Sequence, residues 1–176
     1  MSNILVLTGS ARPNSASSKV AEQVSAAIAR HDGAQGTIVE VANLQLPFFN
    51  APTAPSADDY EITDPNVQAW SDMVQAADAV VWVLPEYNHS MSGIQKNAID
   101  WLYSEWKDKP LMMVGYGWYE GAHTLAAAKH VCDVVKPEIR AEVGLGFMKQ
   151  LNVDGSAKEQ AEVDQALDAA VAKLLA

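Results

Sequence analysis

The sequence predicts a doubly wound α/β fold built on a five-stranded parallel sheet with helices on both faces. Apolar residues alternate between strand-like and helix-like spacing from one end of the 176-residue chain to the other. The run AVVWVL at Ala79–Leu84 is continuously apolar, as expected of a strand covered on both faces. Because no repeat, low-complexity tract or linker interrupts the pattern, we predict a single domain over residues 1–176.

Five short apolar runs are the predicted strands, and helical patterns separate them. The strands are Ile4–Leu7, Thr37–Val41, Ala79–Leu84, Leu111–Gly115 and Glu142–Phe147. After the second strand, Leu44–Thr63 carries three prolines. Such a stretch predicts a long surface loop, which in a compact domain is usually functional or mobile.

Five helices are predicted from apolar residues that recur every three or four positions. Their markers are Val20, Val24 and Ile28; Val67, Trp70 and Val74; the aromatic-rich segment Gly93–Trp106; Leu125, Ala128, Cys132 and Val135; and Val163, Leu167, Val171 and Leu174. Asp64 followed by Pro65 predicts the start of the second helix. Two capping boxes predict further starts, namely Ser92 with Gln95 and Ser156 with Glu159.

The composition limits the partners that the chain can bind. With 12 basic and 22 acidic residues, its net charge of −10 repels nucleic acid and anionic lipid surfaces. No stretch approaches the roughly 20 apolar residues of a membrane span, and Met1–Asn3 lacks the basic residues of a secretion signal. One cysteine and four scattered histidines leave no zinc cluster at ligand spacing, so we expect no metal site and a reducing, cytoplasmic setting.

Three loops follow strands one, three and four, and in such folds ligands bind at the carboxyl ends of the strands. The first loop, Thr8–Ser18, is crowded with hydroxyls and leads into a helix. These hydroxyls, the free backbone N–H groups and Arg12 predict a phosphate site. Neither GxGxxG nor a Gly-Lys-Ser/Thr ending is present, so a phosphate monoester fits better than a dinucleotide. A serine-rich helix cap with a solvated Arg12 is the alternative.

The second loop, Pro85–Gly93, contains Tyr87 and Asn88, which offer a flat face and an amide for the edge of a heterocycle. An ordinary surface turn accounts for the same residues equally well. His89 has the chemistry of an acid or base, but the sequence shows no partner that would orient it.

The third loop, Gly115–Gly121, has three glycines that permit close backbone approach and three aromatic side chains that could wall a ring. By itself this loop is weak evidence for a binding site, because its glycines match the pattern of a dinucleotide-binding loop only in part. That evidence is strengthened because this is the third such loop at the same edge of the sheet. No serine, histidine and acid arrangement is evident, so we predict no catalytic side chain.

Motifs in the first two loops resemble those of the NADPH-dependent FMN reductase family, which includes quinone, chromate and azo-dye reductases. Its GSxRxxSxNxxLA motif is matched at Gly9, Ser10, Arg12, Ser15 and Ala21, with Ser17 and Val20 as departures. Its PEYNxSxPGxLKNAIDW motif is matched at Pro85–Asn88, Ser90, Gly93 and Lys96–Trp101, with Ser92 and Gln95 as departures. Leu46–Asn50 also resembles the family's LPLYN segment.

The resemblance implies a flavodoxin-like fold with strand order 2-1-3-4-5 and an oxidoreductase that uses FMN, with NADPH or NADH as donor. The residues implied to hold the FMN phosphate are Ser10, Arg12, Ser15, Ser17 and Ser18. Those implied to line the flavin ring are Pro85, Glu86, Tyr87, Asn88, Gly93, Gly117, Trp118, Tyr119 and Gly121. Such enzymes pass a hydride to the flavin and then electrons to a quinone, flavin, metal ion or azo compound in a ping-pong scheme.

Two other functions stay open: a flavodoxin-like single-electron carrier with FMN bound and no nicotinamide turnover, and a ligand-binding module that has lost its cofactor. The acidic composition is compatible with the carrier, whereas the PEYN segment resembles the reductases. We also expect a homodimer or homotetramer. A shallow flavin cleft needs a second wall, and Gly93–Trp106 offers surplus apolar surface.

Overall fold

A computed structural model describes residues 1–176, and its central feature is one parallel sheet. The strands are β1, Ser2–Leu7; β2, Ala34–Val39; β3, Ala79–Pro85; β4, Pro110–Gly117; and β5, Glu138–Gly146. Their order across the sheet is β2-β1-β3-β4-β5, and every neighbouring pair is parallel. The predicted doubly wound class and the strand order are therefore confirmed.

Five α-helices cover the two faces of the sheet. They are α1, Ala16–Ala29; α2, Pro65–Ala76; α3, Gly93–Asp100; α4, Ala122–Val135; and α5, Gln160–Leu174. One face packs against α1 and α5 through a largely aliphatic core. The other packs against α2, α3 and α4, where the Trp106 ring contacts those of Trp70 and Trp82. None of these helices has both the length and the apolar character needed to cross a membrane.

Apolar strands and side-chain caps explain why these elements form. All seven residues of β3 are buried, as is the second half of β1. α1 begins where the Ser15 side chain accepts a hydrogen bond from the Ser17 N–H, and α2 begins at Asp64 in the same manner. The chain reverses its direction of winding between β1 and β3, so the three loops meet at the carboxyl edge of the sheet.

The third helix is shorter than predicted. α3 ends at Asp100, whereas the helical pattern extends to Trp106. The Tyr60 hydroxyl donates to the Trp101 carbonyl at 2.7 Å, which satisfies that backbone group outside a helix. Trp101 and Trp106 turn inward and become part of the core. The surplus apolar surface expected on this segment is therefore not available to a second subunit.

Two capping predictions need correction. α5 has no serine cap, because its N-cap is Glu159 without a side-chain hydrogen bond, while Ser156 contacts Asp154 instead. At α3 the Ser92 side chain caps the Gln95 N–H as predicted. The box is incomplete there, because the Gln95 side chain donates to a β3 carbonyl.

Strand boundaries also shift by a few residues. β2 ends at Val39, because the residues after it form a 3-10 turn, Val41–Leu44. β1 and β4 extend beyond the predicted limits, whereas β5 begins four residues early, at Glu138, and ends at Gly146, one residue before the predicted end.

Apart from Leu44, which ends the 3-10 turn, the predicted proline-rich loop before α2 contains neither helix nor strand. It is fixed to α3, because the Pro47 carbonyl accepts hydrogen bonds from the Asn97 amide at 2.9 Å and the Trp101 indole at 2.8 Å. The Phe49 ring also meets the Trp101 ring edge-on at 5.0 Å. Phe48, by contrast, is 85% exposed.

Candidate functional site

The loops that follow β1, β3 and β4 enclose a cavity at the carboxyl edge of the sheet. Its volume is about 830 Å³, which is within the range of cofactor pockets. The predicted site residues that line it are Arg12, Ser15, Pro85, Glu86, Tyr87, Asn88, Gly117, Trp118 and Tyr119. The structure thus brings most of the predicted residues together.

Five predicted site residues do not line the cavity, namely Ser10, Ser17, Ser18, Gly93 and Gly121. Ser17 is fully buried, and its hydroxyl oxygen accepts a hydrogen bond from the Gly9 N–H at 2.8 Å. Ser10 is buried as well. Both serines therefore shape the first loop from within, and contact between any of these five residues and a ligand stays a prediction.

Arg12 is exposed, and its guanidinium has no ion-pair or hydrogen-bond partner in the chain. Arg30 and Arg140, the other two arginines, both pair with carboxylates. The backbone N–H groups of Asn14 and Ala16, which also line the cavity, donate no hydrogen bond. An unpaired cation, free N–H donors and the positive end of α1 together give this end of the cavity a positive potential that favours an anion.

The second loop is tightly joined to the first. Reciprocal backbone hydrogen bonds between Tyr87 and Ser90, of 2.9 and 3.0 Å, close a turn in the second loop. The Tyr87 hydroxyl lies 2.5 Å from the Ser10 hydroxyl. Gly9 leaves no room for a side chain, since a Cβ there would lie 2.2 Å from Pro85 Cδ. This close packing fixes one wall of the cavity.

The third loop depends on Gly121. Its φ is +68°, and a Cβ there would lie 2.3 Å from the carbonyl carbon of Gly115. The loop can therefore fold back closely onto β4. It leaves Trp118 and Tyr119 at the rim of the cavity, 64% and 62% exposed.

Two histidines and a glutamate meet where the second loop reaches α4. The His89 and His123 rings stack with their centroids 3.9 Å apart, and Tyr119 contacts both rings edge-on. The Glu86 carboxylate accepts a hydrogen bond from the backbone N–H of His123 at 3.1 Å. Glu86 and His123 are 37 residues apart in the chain, so ligand spacing in the sequence could not reveal this group. His89 thus has neighbours that the sequence did not show.

Tyr116 lines the cavity but was not among the predicted site residues. Burial raises the pKa of the Tyr116 phenol to about 12, while the neighbouring Ser17 and Ser15 hydroxyls act to lower it. The phenol therefore stays protonated at neutral pH. Tyr116 is one of the three aromatic side chains of the third loop that the sequence offered as walls for a ring, although the residues implied to line the flavin did not include it.

Asp154 also lines the cavity, and no motif in the sequence marked it. It forms an ion pair with Lys19 of α1. Hydrogen bonds from Lys19 and Ser156 hold the pKa of Asp154 well below its usual range. The carboxylate is thus ionised at neutral pH, and its charge is balanced by the lysine.

The single cysteine does not offer a nucleophile. Cys132 is buried in the core, and burial raises the pKa of its thiol to about 12. Almost no thiolate is present at neutral pH. The cavity combines an unpaired arginine and free N–H donors with aromatic walls and has no activated nucleophile, which is typical of pockets where a bound cofactor supplies the chemistry.

Residues 2–146 match the family described as NADPH-dependent FMN reductase. The chain belongs to this family. Membership identifies it as an oxidoreductase, with FMN as the expected cofactor and NAD(P)H as the expected electron donor. The matched region includes all three loops that enclose the cavity.

Curated relatives of the family agree with this assignment. The chain is 32% identical over 136 residues to an NAD(P)H-dependent FMN reductase of Schizosaccharomyces pombe, covering 77% of this chain and 68% of that one. It is 53% identical over 45 residues to a quinone reductase of Escherichia coli, covering 26% of this chain and 23% of that protein. The chain spans about half the length of two further fungal relatives, 48% and 47%.

Solved structures with similar folds are flavoenzymes. The NAD(P)H:(acceptor) oxidoreductase FerB of Paracoccus denitrificans has a TM-score of 0.71 at 23% identity and covers 99% of this chain and 98% of that chain. The apo form of the NADH:FMN oxidoreductase EMOB has a TM-score of 0.69 at 22% identity. The match covers 98% of this chain and 89% of that chain. These likenesses confirm the flavodoxin-like fold.

Proposed function

We propose that this protein is an FMN-dependent NAD(P)H oxidoreductase that passes electrons to a small acceptor in a ping-pong scheme. When bound, FMN accepts a hydride from the nicotinamide and delivers the electrons to the acceptor. The observation that carries the proposal is the unpaired Arg12, beside free backbone N–H groups, at one end of an aromatic-walled cavity.

The anion site suits the phosphate of FMN. Arg12 supplies a charge-assisted donor, and the N–H groups of Asn14 and Ala16 supply two neutral donors at the start of α1. Asp154 is the acidic side chain on the wall nearest α1, and its pairing with Lys19 reduces its repulsion of a phosphate.

The other end suits the flavin ring. Tyr87, Trp118 and Tyr119 provide aromatic surfaces, and Asn88 provides an amide that can donate to or accept from a ring edge. The exposure of Trp118 and Tyr119 leaves this end accessible to a nicotinamide or an acceptor. The side chains orient the cofactor and do not need to act as acid or base.

A quinone is the first acceptor to test, because a curated relative is named as a quinone reductase. Free flavins, metal ions and azo compounds are the other classes of electron acceptor to test. Family membership favours this enzyme over a single-electron carrier. We place it in the cytoplasm, since its single cysteine is buried and forms no disulfide.

Steady-state oxidation of NADPH and NADH by the FMN-loaded protein tests the proposal. With a water-soluble quinone as the varied acceptor, we expect turnover and parallel double-reciprocal lines. Protein that keeps its FMN but oxidises neither nucleotide with any acceptor class would contradict the proposal and favour a carrier.

We also propose a homodimer or homotetramer that uses the exposed Phe48. This side chain sits on a loop that hydrogen bonds fix to α3, so its exposure is not due to a loose segment. Phe48→Asp should shift the mass in light scattering toward the 18.9 kDa monomer. Val134→Asp, on an α4 side chain that is 63% exposed, is the matched control and should not. A wild-type protein that is monomeric at micromolar concentration would refute the proposal.

A further inference from the structure

We propose that Glu86, His89 and His123 form a binding site for a divalent transition-metal ion such as Zn²⁺ at the rim of the cavity. One ligand atom from each of the three residues lies within 4.8 Å of the others. A tetrahedral Zn²⁺ with ligands at 2.0–2.1 Å separates them by about 3.3 Å. Movements of about an ångström would therefore complete the site.

The two imidazoles are available for such movements. Both rings are exposed, and no ring nitrogen of His89 or His123 is hydrogen bonded within the chain. The rings now stack with an interplanar angle of 21°, so each must rotate to direct a nitrogen at a shared ion. Their exposure makes rotation inexpensive, since no core packing opposes it.

The carboxylate is already held in position. Glu86 Oε2 accepts the His123 N–H at 3.1 Å, at the start of α4, where Gly121 offers no side-chain cap. A carboxylate is stabilised at that helix end, and its second oxygen is left for an ion. Tyr119 lies edge-on to both imidazoles, with centroids 5.7 and 5.5 Å away, and limits the directions in which they can turn.

The ligand set selects the kind of ion. Two imidazoles and one carboxylate suit Zn²⁺, Co²⁺, Ni²⁺ or Cu²⁺, whereas Mg²⁺ and Ca²⁺ prefer oxygen ligands alone. Three protein ligands leave a fourth position open to water or a ligand in the cavity. An ion here would also link the second loop to α4. The inference rests on these three side chains and does not depend on the proposed redox function.

Isothermal titration of the chelator-treated, FMN-loaded protein with ZnCl₂ tests the proposal directly. We expect one Zn²⁺ per chain, with His89→Ala and His123→Ala each weakening binding by at least about tenfold. His130→Ala is the matched control, because His130 is an exposed histidine of the same helix whose contact is with Asp133. It should leave the affinity unchanged. Mg²⁺ should not compete at equal concentration.

Two measurements on the unmodified protein keep the test independent of variants. Co²⁺ should give the intense visible bands of a tetrahedral site with nitrogen and oxygen ligands. Saturating Zn²⁺, at about one hundred times its Kd, should raise the thermal midpoint by about 5 to 10 °C. The proposal is overturned if no saturable Zn²⁺ site exists, or if His123→Ala and His130→Ala bind Zn²⁺ equally well.

Discussion

The two ends of the cavity are built in opposite ways. At the end formed by the first loop, Arg12 and the N–H groups of Asn14 and Ala16 have no partner within the chain. At the end formed by the second and third loops, polar groups already contact one another, as the Tyr87–Ser90 and Glu86–His123 hydrogen bonds show. The first end is poised to take a charged ligand, and the second is a preformed wall.

This difference indicates that the first end supplies the energy of ligand binding, whereas the second end supplies the rigidity of the cavity. Charged donors without partners gain a strong, charge-assisted contact only when an anion arrives. A wall whose hydrogen bonds are already made gains little from a ligand, but it loses little freedom when the ligand binds. The predictions below test the rigid wall and the open anion site separately.

The largest expected effect is on the rigid wall. Gly121→Ala puts a Cβ 2.3 Å from the Gly115 backbone at a positive φ, and we expect it to cost about 3 to 5 kcal/mol of unfolding free energy. Gly33→Ala is the matched control, because Gly33 also has a positive φ of +79° but nothing within 4 Å of its Cβ. It should cost only about 1 to 2 kcal/mol in urea unfolding. Equal losses would mean that the close approach at Gly121 is not what holds the third loop.

The next effect is on the anion site. Arg12→Ala removes a charge-assisted contact of about 1.5 to 3 kcal/mol, so FMN binding should weaken about tenfold to a hundredfold while the fold stays intact. Riboflavin, which lacks the phosphate, should bind wild type and variant equally. Arg30→Ala, which removes an already paired arginine, is the control. Unchanged FMN affinity in Arg12→Ala would disprove the phosphate assignment.

A smaller effect is expected where the two ends join. Ser10→Ala and Tyr87→Phe each remove one hydroxyl of the 2.5 Å contact between the first and second loops. In a double-mutant cycle on urea unfolding, the coupling energy should be about 0.5 to 1.5 kcal/mol. A coupling near zero would show that the loops are joined by packing at Gly9 alone.

The smallest effect concerns charge near the anion site. Asp154→Asn removes a negative charge and frees Lys19, so FMN affinity should rise about twofold to fivefold at low salt and less at high salt. Because the pKa of Asp154 is lowered, its carboxylate should still be ionised at about pH 4, where an ordinary aspartate is half protonated, so the affinity ratio should still exceed one there. Asp133→Asn, at an exposed acid on α4, should change nothing. An affinity ratio that has already fallen to one at about pH 4 would contradict the lowered pKa.

Much of the fold was predictable because its signals are local. Apolar strand runs and the caps at Asp64 and Ser92 depend on neighbouring residues, and the structure confirms them. The end of α3 was not predictable from local pattern, since the Trp101 carbonyl beyond it is bound by the Tyr60 hydroxyl from 41 residues away in the chain. The Ser156 cap failed because its hydroxyl is used elsewhere: it accepts a hydrogen bond from the Asn152 amide and donates one to Asp154.

The candidate site shows the same contrast between residues marked by local motifs and residues brought together from distant segments. Arg12, Ser15 and the second-loop residues belong to motifs that are continuous in sequence, so the sequence placed them at one edge of the sheet. Asp154 comes from the connection after β5, where no motif marks it. The Glu86, His89 and His123 group exists only because the second loop folds against α4. Contacts between distant segments are what the sequence alone could not supply.

Anaerobic mixing of the FMN-loaded protein with NADPH or NADH tests the central claim, that one end of the cavity holds the cofactor while the other admits a nicotinamide and then an acceptor. The account predicts that the yellow flavin absorbance bleaches with one equivalent of nucleotide, returns on addition of a quinone, and does so over repeated cycles. Flavin that stays bound and yellow in excess of both nucleotides, yet is reduced stepwise by a chemical reductant, would contradict it.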